Sequence, residues 1–130
     1  MRDFRQFDVW QKARTLVTAV YRESARFPVE EQYGFTTQLR RAVVSVPANI
    51  AEGAGRRSDR DFARFLDVAM GSLSETRSHL ILACDLGYLK DRTVADLSEE
   101  ALEIGRMLDG LNITLRRTGR ASGLKSRRAS

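Results

Sequence analysis

From Val94 to Leu115 an apolar residue recurs every three and then four positions: Val94, Leu97, Ala101, Ile104, Leu108, Leu111 and Leu115. Held over three heptads, that spacing specifies a long amphipathic helix with a single apolar seam. It is incompatible with a strand, whose faces alternate every second residue. Such a helix draws its stability from burying the seam against partners, so the rest of the chain must supply them.

Three further segments do. From Phe7 to Phe27, the residues Trp10, Ala13, Val17, Val20, Ser24 and Phe27 fall on one helical stripe, and Pro28 ends the helix by pushing Phe27 out of the helical region. A second stretch, Phe35 to Ala54, turns Phe35, Leu39, Ala42, Val43, Val46, Ile50 and Ala51 inward. Pro47 removes a donor there and leaves the Val43 carbonyl without its intrahelical partner. A kink at Pro47 is expected, with two shorter helices meeting there as the alternative. Gly53-Ala54-Gly55 closes the segment. Ser58-Asp59-Arg60-Asp61 then resembles a capping box and opens a third helix, from Asp59 to about Leu86, which buries Phe62, Leu66, Ala69, Leu73, Leu80 and Ala83. Gly87 ends it. At ~20 to 28 residues each, these helices would be roughly 30 to 42 Å long. Matched lengths and short connections favour an all-α, antiparallel up-down four-helix bundle.

Residues 1–115 make up that bundle and 116–130 a basic, flexible C-terminal arm. The arm carries Arg116, Arg117, Arg120, Lys125, Arg127 and Arg128 and no acid. The other 16 basic residues face 17 acidic ones, a net of −1, so the whole excess behind the +5 charge lies in the arm. Having almost nothing apolar to bury, it should stay solvated. Attraction to polyanions and a merely solubilising role both remain open.

No run of 18 uncharged apolar residues exists, so no membrane partner is expected, and an N-terminus without a signal-peptide core points to the cytoplasm. The single cysteine, Cys84, sits in an apolar run and is expected to be a buried small hydrophobe. A di-iron bundle would need two Glu-x-x-His motifs. The only histidine, His79, follows Glu75 by four residues, so no metal site or cofactor is expected. Nucleotide-binding, hydrolase and redox motifs are absent from the sequence, and an enzyme is not expected.

Three strings go beyond generic helix: V-W-Q-K-A from Val9, S-V-P-A-N-I-A-E-G from Ser45, and A-M-G-S-L-S-E from Ala69. In this order, over about Phe4 to Arg116, they resemble the four-helix-bundle family of 23S ribosomal RNA intervening-sequence proteins. More distantly the chain resembles the accessory variability proteins of diversity-generating retroelements. The resemblance implies an up-down bundle assembling as a ring-like homopentamer. The distant one implies a basic pentamer that binds nucleic acid and a reverse transcriptase.

Asn49, Glu52, Ser72 and Glu75 lie in those strings, each pair three residues apart and so on one helix face. They would form an interhelical polar network, with Arg40 or Arg41 completing it, and a ligand site is the sharper alternative. The turn Gly53 to Ser58 places Arg56 and Arg57 at a helix N-terminus, a candidate phosphate cradle, and ordinary solvated arginines are the plain alternative. Candidate nucleic-acid contacts are therefore Arg40, Arg41, Arg56, Arg57 and Arg60 together with the six charges of the arm. Gly71 and Gly105 inside helices suggest close packing, since each costs about 1 kcal/mol against alanine. The leading expectation is a non-enzymatic homo-oligomer engaging RNA or a ribonucleoprotein electrostatically. The second is a protein–protein adaptor, for example for a reverse transcriptase.

Overall fold

The computed structural model describes the backbone of residues 2–129 and the side chains of residues 2–119. It is all-α among the described residues: after a short 3-10 turn at Phe4–Gln6 come α1 (Asp8–Ser24), α2 (Phe35–Ala54), α3 (Asp59–Asp85) and α4 (Asp91–Ala129), with a second 3-10 turn, Val29–Glu31, before α2. Each helix packs on its sequence neighbours, and α1 also meets α4, which closes the circuit of a four-helix bundle. The α2–α3 pair is the most extensive.

Local chemistry explains the boundaries. Ser58 is extended and its side chain accepts from the Asp61 amide at 3.0 Å, the N-cap that the sequence announces for α3. Gly87 has φ +80°. Its amide bonds to the Cys84 carbonyl at 2.9 Å and the Tyr88 amide to Ala83 at 2.8 Å, the paired bonds of a Schellman ending. The second helix is continuous, with Pro47 inside it. The fourth spans 39 residues, longer than the ~20 to 28 expected. No proline occurs after residue 47, and a helix needs only its own backbone bonds to continue past the last core residue, Leu115.

The core confirms the α4 seam: Leu97, Ala101, Ile104, Leu108 and Leu115 are buried, while Val94 and Leu111 pack at its edge. On α1 the buried set is Val9, Ala13, Leu16, Val20 and Ser24. Trp10 and Val17, placed in the stripe by spacing, are only half-buried, because the helix is rotated by about one residue between its neighbours α2 and α4. On α3 the sequence stripe skips a turn that Thr76 fills. Thr76 is fully buried, and its hydroxyl donates to the Ser72 carbonyl at 2.8 Å, which makes a polar side chain tolerable there.

Two other expectations need correction. A Cβ on Gly71 would meet nothing within 4 Å and one on Gly105 only ordinary contacts at 3.6 and 3.8 Å. The close approach is at Gly53, where a Cβ would lie 2.8 Å from Phe62 Cδ1 and 2.9 Å from Phe65 Cβ. Cys84 is half-exposed, because Ala83 beside it takes the core position.

A candidate nucleic-acid interface

Gly53 brings the end of α2 hard against the first turns of α3, so the connecting turn is short and its long side chains point outward. Arg56, Arg57 and Arg60 are all exposed. The Arg56 guanidinium lies 4.7 Å over the Phe65 ring and donates to Glu52 Oε1 at 2.7 Å. Arg2 reaches in from the N-terminus: it pairs with Asp59, donates to the Arg56 carbonyl at 3.4 Å and lies 5.1 Å over Phe62.

The last turns of α4 arrive at the same place. Asn112 donates to the Ala63 carbonyl at 3.0 Å and to Asp67 Oδ1 at 2.9 Å. Arg116 bridges Asp67 Oδ2 and Asn112 Oδ1, both at 2.6 Å. Two turns further on from Asn112 the helix reaches α3's first turn: a Cβ on Gly119 would lie 3.8 Å from both the Arg60 amide nitrogen and Asp59 Cβ. The root of the arm and the basic turn, some sixty residues apart in sequence, therefore adjoin.

The acids here are already engaged. Glu52, Asp59, Asp61 and Asp67 pair with Arg56, Arg2, Arg64 and Arg116. Among the described residues, Arg57, Arg60 and Arg117 have no carboxylate within 4.0 Å. Seven arginines (Arg2, Arg56, Arg57, Arg60, Arg64, Arg116, Arg117) thus face four carboxylates, leaving three positive charges in excess. The backbone contributes less than the glycines suggest. The Gly55 and Arg56 amides are spent on the Ala51 and Gly53 carbonyls, and the Asp61 amide on Ser58. The nearby C-terminus of α2 also offsets the dipole of α3. Side chains carry the field.

Not every candidate residue joins this end. Arg40 and Arg41 lie on α2 nearer its start, where Arg40 donates to the Ser24 hydroxyl at 2.9 Å and the Tyr21 carbonyl at 3.3 Å. Of the polar set, Asn49 and Ser72 meet only through Ser45: Asn49 Nδ2 and the Ser72 hydroxyl donate to Ser45 Oγ at 2.9 and 2.8 Å. Glu52 and Glu75 are exposed, so neither is a buried charge in this chain. The side chains of Arg120, Lys125, Arg127 and Arg128 lie outside the described residues. His79 is half-buried, its Nδ1 2.8 Å from the Glu75 carbonyl and its ring 5.5 Å from Phe35. Cys84 donates to Asp91 Oδ1 at 2.9 Å, and that bond first, then burial, holds its thiol pKa up. Among the described residues no three His, Cys, Asp or Glu side chains are placed to hold a metal ion.

Sequence reasoning missed Arg2, Asp67 and Asn112. The Asn112–Arg116 spacing of four was a legible signal, whereas Arg2 and Asp67 carried none.

Known proteins supply context for this geometry. The family model described as 23S rRNA-intervening sequence protein matches residues 5–110, a span that contains the basic turn and stops short of Arg116. A crystal structure of a protein with unknown function from the S23 ribosomal protein family, from Bacteroides thetaiotaomicron VPI-5482, superposes with a TM-score of 0.73 at 24% identity, covering 80% of this chain and 97% of that one. That likeness concerns the fold alone. No curated protein matches the sequence.

Proposed function

The chain belongs to the 23S rRNA-intervening sequence protein family, and from that premise we propose that it is a non-enzymatic, homo-oligomeric RNA-binding protein of the cytoplasm. One observation carries the reading: Arg57, Arg60 and Arg117, without carboxylate partners, converge with Arg2, Arg56 and Arg116 at a single end of the bundle. Phosphates are the natural counter-charge for such a cluster, and contacts of this kind give salt-sensitive, weakly sequence-specific binding. The arm, residues 116–130, extends the same field beyond the bundle.

The bundle is read as antiparallel and up-down, bent at Pro47, and assembled as a ring-like homopentamer. The contacts of Phe7 with Phe62 and of Asn112 with Ala63 support the alternation of helix directions. Exposed apolar residues on the outer face of α3, Val68 (50%) and Leu82 (46%), and Leu86 (53%) at its C-cap support self-association. A ring would repeat the basic end in every subunit and raise a weak contact through avidity. The same exposed residues favour a second reading, an adaptor docking a protein such as a reverse transcriptase.

RNA affinity measured against salt tests the leading reading. On a single strand, six arm charges account for a log–log slope of up to about 4, so truncation after Leu115 should flatten the slope by up to that amount. Arg57→Ala and Arg60→Ala should each remove about one more. An unchanged slope after truncation removes the arm from the mechanism, and no binding even at low salt overturns the proposal.

A further inference from the structure

A second cationic feature lies away from the basic end. Between α1 and α2 a groove of about 260 Å³ is lined by Tyr21, Thr37, Arg40, Arg41 and Val44. No carboxylate lines it, and among the described residues none lies within 4.0 Å of either arginine. Arg40 is held instead by neutral acceptors, the Ser24 hydroxyl and the Tyr21 carbonyl. The central carbon of its guanidinium lies over the Tyr21 ring, 4.5 Å from the ring centre. Its charge is therefore positioned but not neutralised, and it forms one surface with an aromatic ring that is 41% exposed.

We propose that this groove is a nucleotide subsite for single-stranded RNA, stacking one base on the Tyr21–Arg40 surface and holding the flanking phosphate on Arg41. The inference rests on the RNA-binding reading and narrows its substrate from RNA in general to unpaired RNA. Aromatic rings and arginine planes stack splayed bases and take part in single-strand binding, whereas a base inside a duplex cannot reach them. The groove is smaller than the roughly 300–1,000 Å³ that encloses a whole small ligand. It suits one unit of a longer chain better than a free metabolite. Arg41, the next residue on the same turn of α2, is exposed and can meet a phosphate without breaking any structural contact.

The test is fluorescence anisotropy with a labelled 12-nucleotide RNA strand and the blunt duplex of the same sequence, using the full chain. Arg40 is left intact, because it also ties α2 to the last turn of α1. Tyr21→Ala should weaken single-strand binding at least about fivefold, the lower bound for losing one stacked base, and leave duplex binding within twofold. Tyr21→Phe should match the wild type, and Arg41→Ala should weaken the single strand and reduce its salt slope. Thermal midpoints close to wild type confirm that the variants are folded. If Tyr21→Ala and Arg41→Ala leave single-strand affinity unchanged while Arg57→Ala lowers it, the groove inference is overturned and the basic end stands. Equal losses for strand and duplex also overturn it. Wild-type protein that binds neither probe overturns it together with the reading beneath it.

Discussion

Replacing Gly53 with alanine tests the tightest packing at any glycine among the described residues. The added Cβ would sit 2.8 Å from Phe62 Cδ1 and 2.9 Å from Phe65 Cβ, against an ordinary carbon–carbon contact of about 3.5–4.0 Å. Neither neighbour can yield cheaply. Phe62 is fully buried, with Phe7 at 5.4 Å and the Arg2 guanidinium at 5.1 Å around it. Phe65 Cβ is one bond from the α3 backbone, so α3 itself would have to retreat by roughly 0.7 Å. Overpacking of this kind costs about 1–3 kcal/mol, and two immovable contacts argue for the upper half of that range. The better helix propensity of alanine returns about 1 kcal/mol at most. The net is a destabilisation of about 1.5 kcal/mol, or about 0.7 M in urea midpoint at a slope of about 2 kcal/mol/M. The assay is urea unfolding followed by circular dichroism, at one protein concentration so that self-association does not shift the comparison. Gly110, where a Cβ would meet nothing within 4 Å, provides a control of opposite sign: Gly110→Ala should raise the midpoint. A Gly53→Ala midpoint equal to or above wild type would refute the close α2–α3 packing.

Three further outcomes are expected. Ser58→Ala removes the acceptor for the Asp61 amide and should cost about 1 kcal/mol in the same assay, whereas Ser58→Asp should largely preserve stability. Because the Asp91 carboxylate accepts from the Cys84 thiol and raises its pKa, less thiolate is present at a given pH. Alkylation by iodoacetamide at pH 8 should therefore be slower than for a free thiol and should accelerate in Asp91→Asn; equal rates would contradict the hydrogen bond. Light scattering should give a mass near five times 14.7 kDa, and Leu82→Glu, on the exposed face of α3, should lower it towards one chain. A wild-type mass near 14.7 kDa rules out the ring.

Much of the architecture was legible along the chain because its causes are local. The α4 seam, the Ser58 cap and the Gly87 ending depend on residues within a turn or two of one another, and α2 begins and ends where its periodicity does. Periodicity could not settle rotation. Trp10 and Val17 lie within one residue of Val9 and Leu16, and only the packing of α1 between α2 and α4 decides which pair is buried. Thr76 was passed over because a hydroxyl reads as polar until its bond to Ser72 is known. The candidate site divided along the same line. Arg56, Arg57 and Arg60 were visible as one short basic run, but their company was not.

The amino-acid order alone thus determined four amphipathic helices, the Ser58 start and Gly87 stop of α3, and the concentration of positive charge at the C-terminus, since hydrogen-bond capping and helical period act over a few residues. Tertiary structure decided the rest. It placed Arg2 and Arg116 beside the basic turn, set Arg40 and Arg41 apart against Tyr21, and made Gly53 rather than Gly71 the tight contact. Those outcomes depend on which side chain of a distant helix stands opposite, and no local pattern encodes that.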